Sequence, residues 1–316
     1  MPTLMAIESP SDHIFDSGAG GGGSWLQEHL QSGYHVRWST GLADGAIDEA
    51  IADTSLTRWV NYYVAGLEWL TQDHTNTSAI DGVYLDELSF DRNTMQRMRK
   101  AVDRHRSGAL FDLHSCNKYH CGVPKSPHAC SALIYMAHFV FLDSLWFGEG
   151  FSANYAPDQW LVEMSGIPFG MHAEQLSSPN LWRGMVFGEG GRPAPDLWKA
   201  WDSLHLTKDG TRLVGWWDEA PVVRVVDDSS GSVYASAYLR PGAGSGGVIA
   251  IASWSNDKSI TVGLSVDWSA FGLTASAATV TASPIANFQP ALELSPSALS
   301  LVVPATKGWL LDVRAK

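Results

Sequence analysis

The sequence predicts an α/β protein: a (β/α)8 TIM-type barrel lacking its first strands, followed by a C-terminal antiparallel β-sandwich. Three observations predict it. Short apolar runs alternate with helical stripes between about residues 56 and 217, and polar or acidic residues cluster just after those runs. Beyond Ala220 the helical stripes stop, and short β-type runs punctuated by Gly, Asp, Asn and Ser take over. Alternating strands and helices build a parallel barrel whose functional residues gather at the C-terminal strand ends. Turn-punctuated runs build a sandwich.

The elements follow in order. Residues 1–33 carry little pattern, and Gly18 to Gly23 holds five glycines and one alanine, a run that cannot pack. Residues 34–38 are a short strand candidate. Leu56, Trp59, Val60, Tyr63, Leu67 and Leu70 recur at helical spacing, with Thr54 or Ser55 as the cap. Residues 82–85 read as a buried strand ending in Asp86 and Glu87. Asp91 or Asn93 caps the next helix, whose apolar positions are Met95, Met98 and Val102 and whose basic residues gather toward its end. Strands are expected at 109–113, 141–147, 167–171 and 213–217, with a helix carrying Leu197, Trp198, Trp201 and Leu204 before the last. The expected sandwich strands are 222–226, 233–239, 248–254, 260–268, 278–281, 292–294 and 309–313. The organisation is therefore a poorly patterned segment 1–33, a partial barrel 34–219 and a sandwich 220–316. A full barrel takes eight strands and roughly 250 residues, so the early strands are expected to be missing.

Composition narrows the function. The chain has 316 residues, 45% of them hydrophobic and 17% charged, which suffices for a large core. The formal net charge of −12 argues against a nucleic-acid partner. No apolar run is long enough to span a membrane. The first residues lack the basic and apolar regions of a signal peptide, and the cellular location stays open. Cys116, Cys121 and Cys130 share one loop without zinc-type spacing, so no metal and no cofactor are expected, and the disulfide state stays open. The 14 Trp exceed the Phe or Tyr count, and flat indole faces suit the C–H face of a pyranose as well as a core.

Asp86-Glu87 is the sharpest constellation, because two carboxylates at a strand end can reach one pocket as the chain turns. Glycoside cleavage needs an acid for the leaving oxygen and a second group for the cationic sugar. Glu149 and Glu174 follow later strands and are candidates for a second carboxylate. His114, Trp146, Tyr155, Trp182 and Arg183 are candidate substrate-binding residues, for hydroxyl bonding, ring stacking or an anionic sugar group.

Several stretches resemble a known family. They are DGVYLDELSFDR (81–92), FDLHS (111–115), DSLWFGEG (143–150), SGIPFG (165–170), WRGM (182–185) and the closing KGWLL (307–311). They are similar to glycoside hydrolase family 123-like proteins, an uncharacterised branch related to β-N-acetylgalactosaminidases, from about Arg58 to the C-terminus. The resemblance implies retaining hydrolysis of a β-N-acetylhexosaminide assisted by the substrate's own 2-acetamido group, with Asp86 orienting the acetamide and Glu87 as general acid. The expected partner is thus an oligosaccharide or glycoconjugate. Two other readings stand beside it: a two-carboxylate glycosidase on another sugar, and an inactive carbohydrate-binding relative.

Overall fold

The computed structural model describes residues 4–8, 35–40, 47–51, 57–72, 80–86, 91–114, 132–147, 152–175, 180–191, 194–242 and 244–316. The chain divides into two compact units, Met1–Phe151 with Phe169–Met171, and Ser152–Pro168 with His172–Lys316.

The first unit is built on parallel strands. β1 (Leu4–Glu8), β4 (Gly82–Asp86), β5 (Leu110–His114) and β6 (Ser144–Phe147) lie in that order, all parallel. Val83, Leu85, Phe111, Leu113 and Leu145 are buried, as near-continuous apolar strands of a parallel sheet must be. β1 lies in the segment the sequence leaves unpatterned, because its apolar run is only four residues long. β2 (His35–Thr40) pairs antiparallel with β3 (Ile47–Ile51) in a sheet of its own, so the strand candidate at 34–38 adds nothing to the parallel sheet.

Two helices cover this unit. In α1 (Thr57–Thr71) the expected stripe buries Val60 and Leu67, while the proposed caps Thr54 and Ser55 lie outside the described residues. α2 (Arg92–His105) starts at Asp91, whose carboxylate accepts from Thr94 N–H at 2.7 Å. Its Met95, Met98 and Val102 are fully buried. The exposed faces are tied by Arg104 to Glu68 at 2.5 Å and by Arg97 to Asn61 at 2.6 Å. Asp143 anchors the sheet, accepting from Phe111 N–H at 2.8 Å and from Arg99 at 2.7 Å.

The second unit is layered. Its sandwich pairs a six-stranded sheet, β14 (Leu292–Leu294), β13 (Ala278–Ala282), β16 (Gly308–Ala315), β11 (Gly247–Ser253), β10 (Val233–Leu239) and β8 (Arg212–Val214), with a three-stranded one, β15 (Ser300–Val303), β12 (Ile260–Val266) and β9 (Val223–Val226). All pairings are antiparallel. Alternation sends Ile249, Ile251, Leu311 and Val313 toward Val262, Leu301 and Val303 of the facing sheet. The opposite face, with Val248, Ala250, Leu310 and Tyr238, meets Met185, Leu197 and Trp201 from the helices. β11 is therefore buried on both sides. It also runs so close to β16 that a Cβ on Gly308 would lie 1.8 Å from the Ile251 carbonyl oxygen.

Two expectations change here. Residues 167–171 do not form a strand: Ile167–Phe169 is a 3-10 turn, and β7 (His172–Gln175) begins after it. Pro168 offers no N–H to a ladder, and Gly170 takes φ 70°, which ends the turn. Of the run at 213–217 only Leu213 and Val214 are strand, as part of β8, which pairs antiparallel with β10 instead of joining the parallel sheet, and Trp216 and Trp217 lie in the turn that follows. β15, missing from the expected strands, is a four-residue edge with Val302 exposed.

Candidate active site

The C-terminal ends of the parallel strands bring three rings together. Tyr84 on β4 stacks with His114 on β5 at 6.1 Å between centroids, and Trp146 on β6 lies 5.5 Å from Tyr84 and 5.6 Å from His114. The strands dictate this: Leu85 pairs with Leu113 and His114 with Trp146, so the residues after the apolar runs align. His114 and Trp146 are both buried. Below them, Ser144 donates to Asp112 at 2.6 Å and locks β5 to β6.

Asp86 is the last residue of β4, one position beyond the Leu85–Leu113 pair. Glu87 and Glu149 lie outside the described residues, as do Cys116, Cys121 and Cys130. The register adds a residue the sequence reading overlooked: Glu8, the last residue of β1, is the direct partner of Asp86. The signal was present, since LMAI followed by Glu8 repeats the pattern of VYL followed by Asp86. Among the described residues no cluster of His, Cys, Asp and Glu is arranged to hold a metal, and no helix is long and apolar enough to cross a membrane.

The remaining candidates fall in the second unit. Glu174 is half-buried on β7. Tyr155 precedes α3 (Pro157–Glu163), and its carbonyl accepts from Trp254 Nε1 at 2.9 Å. Arg183 and Trp182 belong to α4 (Leu181–Val186), and the burial of Arg183 corrects the expectation that it contacts sugar directly. Arg183 has no exposed surface. Its guanidinium donates to the Ser253 carbonyl at 3.1 Å, to the Ala153 carbonyl, and to the amide oxygens of Asn154 and Asn256 at 3.2 Å each. Burial pushes it down to about 10, which leaves it cationic at neutral pH. Trp182 lays its ring on Phe288 at 4.7 Å and 7°, with Lys307 Nζ 5.8 Å from its centroid. Phe288 thus takes one face of a ring that stays partly exposed.

Glu189 is a second residue the sequence reading missed. It lies just before the parallel bridge of Gln175 with Gly191, it has no exposed surface, and neither carboxyl oxygen has a partner among the described residues. Desolvation pushes its carboxyl well above the ordinary value, so the neutral acid is favoured. The Tyr238 hydroxyl, which donates to the Met185 carbonyl, is raised by burial and then by Glu189. A folded value above the unfolded one means that the folded state holds the extra proton. This contribution is intact below the unfolded value and fades as pH rises through the folded one. Glu189→Gln, which cannot ionise, is expected to raise the thermal midpoint at alkaline pH relative to wild type and to flatten the alkaline limb of the stability profile. Parallel wild-type and variant profiles between acid and alkaline pH would refute this.

Comparison with known proteins places these features. Residues 1–194 match the model described as glycoside hydrolase 123, TIM-barrel domain, and residues 193–314 match glycoside hydrolase 123, C-terminal domain. The search of curated proteins finds no match. Among solved structures the chain is similar to a noncanonic maltogenic alpha-amylase, AmyB, from Thermotoga neapolitana (10% identity, 100% of this chain and 78% of that one, TM-score 0.53). It is also similar to a GH27 β-L-arabinopyranosidase from Geobacillus stearothermophilus (11%, 99% and 74%, TM-score 0.51) and to an Anoxybacillus alpha-amylase (9%, 92% and 73%, TM-score 0.51). At such identities the likeness speaks for the fold alone. Two adjoining family models span nearly the whole chain, and a carboxylate ends a strand of the parallel sheet; the chain is a glycosidase acting on O-glycosyl bonds and belongs to the glycoside hydrolase 123 family.

Proposed function

We propose that this glycosidase is a retaining enzyme acting on β-N-acetylhexosaminides, with the substrate's 2-acetamido oxygen as nucleophile. The observation that carries the reading is the place of Asp86, the terminal residue of β4 in the parallel sheet of a glycoside hydrolase 123 barrel domain. A carboxylate there can accept the acetamide N–H and stabilise the positive charge that develops as the glycosidic bond breaks, through an oxocarbenium-like transition state, and the acetamide oxygen closes on C1 to give an oxazolinium ion. Glu87, next in sequence, protonates the departing oxygen and later draws the proton from the incoming water. His114 and Trp146 supply a buried ring wall beside that strand end. Their low exposure excludes water, which strengthens each charge contact.

The test is the substrate's own 2-substituent. Aryl β-N-acetylgalactosaminide should be cleaved, and the matching aryl β-galactoside, with hydroxyl in place of acetamide, should be cleaved slower by several orders of magnitude, since an intramolecular nucleophile brings a large effective molarity. Equal rates on the two would overturn substrate assistance while leaving the glycosidase assignment intact.

A further inference from the structure

We propose that Asn154, Asn256, Trp254 and Tyr234 form a saccharide-binding subsite on the second unit, with buried Arg183 as its positioning residue. The argument starts from the guanidinium, which has donors and no acceptor. Bonding to it forces both Asn154 and Asn256 to present their amide oxygens inward. Each amide nitrogen is therefore turned away from Arg183, and both residues are exposed. Because one guanidinium holds both, the two amide nitrogens are left as pre-oriented donors.

The same cation lies 5.1 Å from the Trp254 ring centroid, and Trp254 is pinned through Nε1 to the Tyr155 carbonyl. Trp254 meets Tyr234 edge-on at 5.3 Å, and Tyr234 meets Trp216 at 4.7 Å. Trp254, Tyr234 and Trp216 are all partly exposed. Burial, and after it the charges of Asp158 and Asp228, raise the Tyr234 hydroxyl above its ordinary value, so it remains a donor.

Pre-oriented amide donors, a hydroxyl and partly exposed ring faces are the groups that recognise a pyranose, which offers hydroxyl acceptors and an apolar C–H face. The carboxylates and the chain's net charge of −12 disfavour anionic ligands, so the occupant is a neutral glycoside. This inference rests on the chain being a glycosidase and not on the roles of Asp86 and Glu87.

The test uses the full chain and three probes at millimolar concentration: methyl β-galactoside, methyl β-N-acetylgalactosaminide and maltotetraose. Binding is read by Trp fluorescence and by saturation-transfer NMR. Asn154→Asp with Asn256→Asp keeps the oxygens that Arg183 holds and removes the outward N–H donors. The expected result is at least about tenfold weaker binding of whichever probe binds, since two hydrogen bonds of roughly 1 kcal/mol each are lost. The thermal midpoint should not fall, and Asp86→Asn should retain the binding. Binding unchanged in the double Asp variant, binding abolished by Asp86→Asn alone, or no binding of any probe would each overturn the subsite. The first and third outcomes leave the Asp86–Glu87 mechanism standing.

Discussion

Glu87→Gln is expected to lower kcat/KM on aryl β-N-acetylgalactosaminides by about 10²–10⁴-fold, the usual worth of a positioned general acid. In the proposed mechanism Glu87 gives its proton to the leaving oxygen, so the loss should depend on the leaving group. A phenol of ordinary basicity needs that proton. A dinitrophenol leaves without it, so the first step should be nearly spared there. Asp86→Asn should behave differently, slowing both substrates alike, because it disturbs the acetamide nucleophile and not the leaving group. Azide should also rescue Glu87→Gln, since a strong nucleophile needs no base in the second step. Unchanged turnover in Glu87→Gln would remove Glu87 from the mechanism. Equal losses on both leaving groups would assign it a role other than acid.

Arg183→Met should strongly destabilise the second unit. It keeps much of the buried volume and removes the donors. The carbonyls of Ser253 and Ala153 then lose their shared partner, as do the amides of Asn154 and Asn256. A buried acceptor left unpaired costs about 1–3 kcal/mol, so two backbone acceptors give a loss of about 2 kcal/mol or more. The Trp254 ring would also lose the cation beside it. Denaturant unfolding should show a lower midpoint at unchanged slope. A shift below about 0.5 kcal/mol, the size of an ordinary surface change, would mean that water replaces the guanidinium.

Much of the architecture was legible because local chemistry and packing agreed. Asp91 followed by Met95, Met98 and Val102 announces a capped amphipathic helix, and the structure has one from Arg92. The runs at 233–239 and 292–294 are strands over those same residues. Where local pattern and partner choice diverged, the reading failed. The residues at 213–217 look like any barrel strand, but only Leu213 and Val214 are strand, and pairing with β10 decides their sheet. Glu8 ends β1 in register with Asp86, yet four apolar residues are too few to mark a strand without their neighbour.

The candidate site divides the same way. The Asp86 position could be found from sequence, because an apolar run that ends in carboxylates is a local signal. The fate of Arg183 could not. A charged residue in a helical stretch reads as surface, and only the arrival of Ala153, Asn154, Ser253 and Asn256, up to 73 positions away, gives it enough acceptors to be buried. Glu189 is the converse case, an acid whose surroundings offer no partner among the described residues. The sequence by itself determined most element types, the barrel-then-sandwich order and the Asp86 strand end, since these follow from periodicity and short-range turn chemistry. The tertiary structure alone decided strand partners, the burial of Arg183 and Glu189 and the neighbours of each ring, because those depend on contacts between residues far apart in the chain.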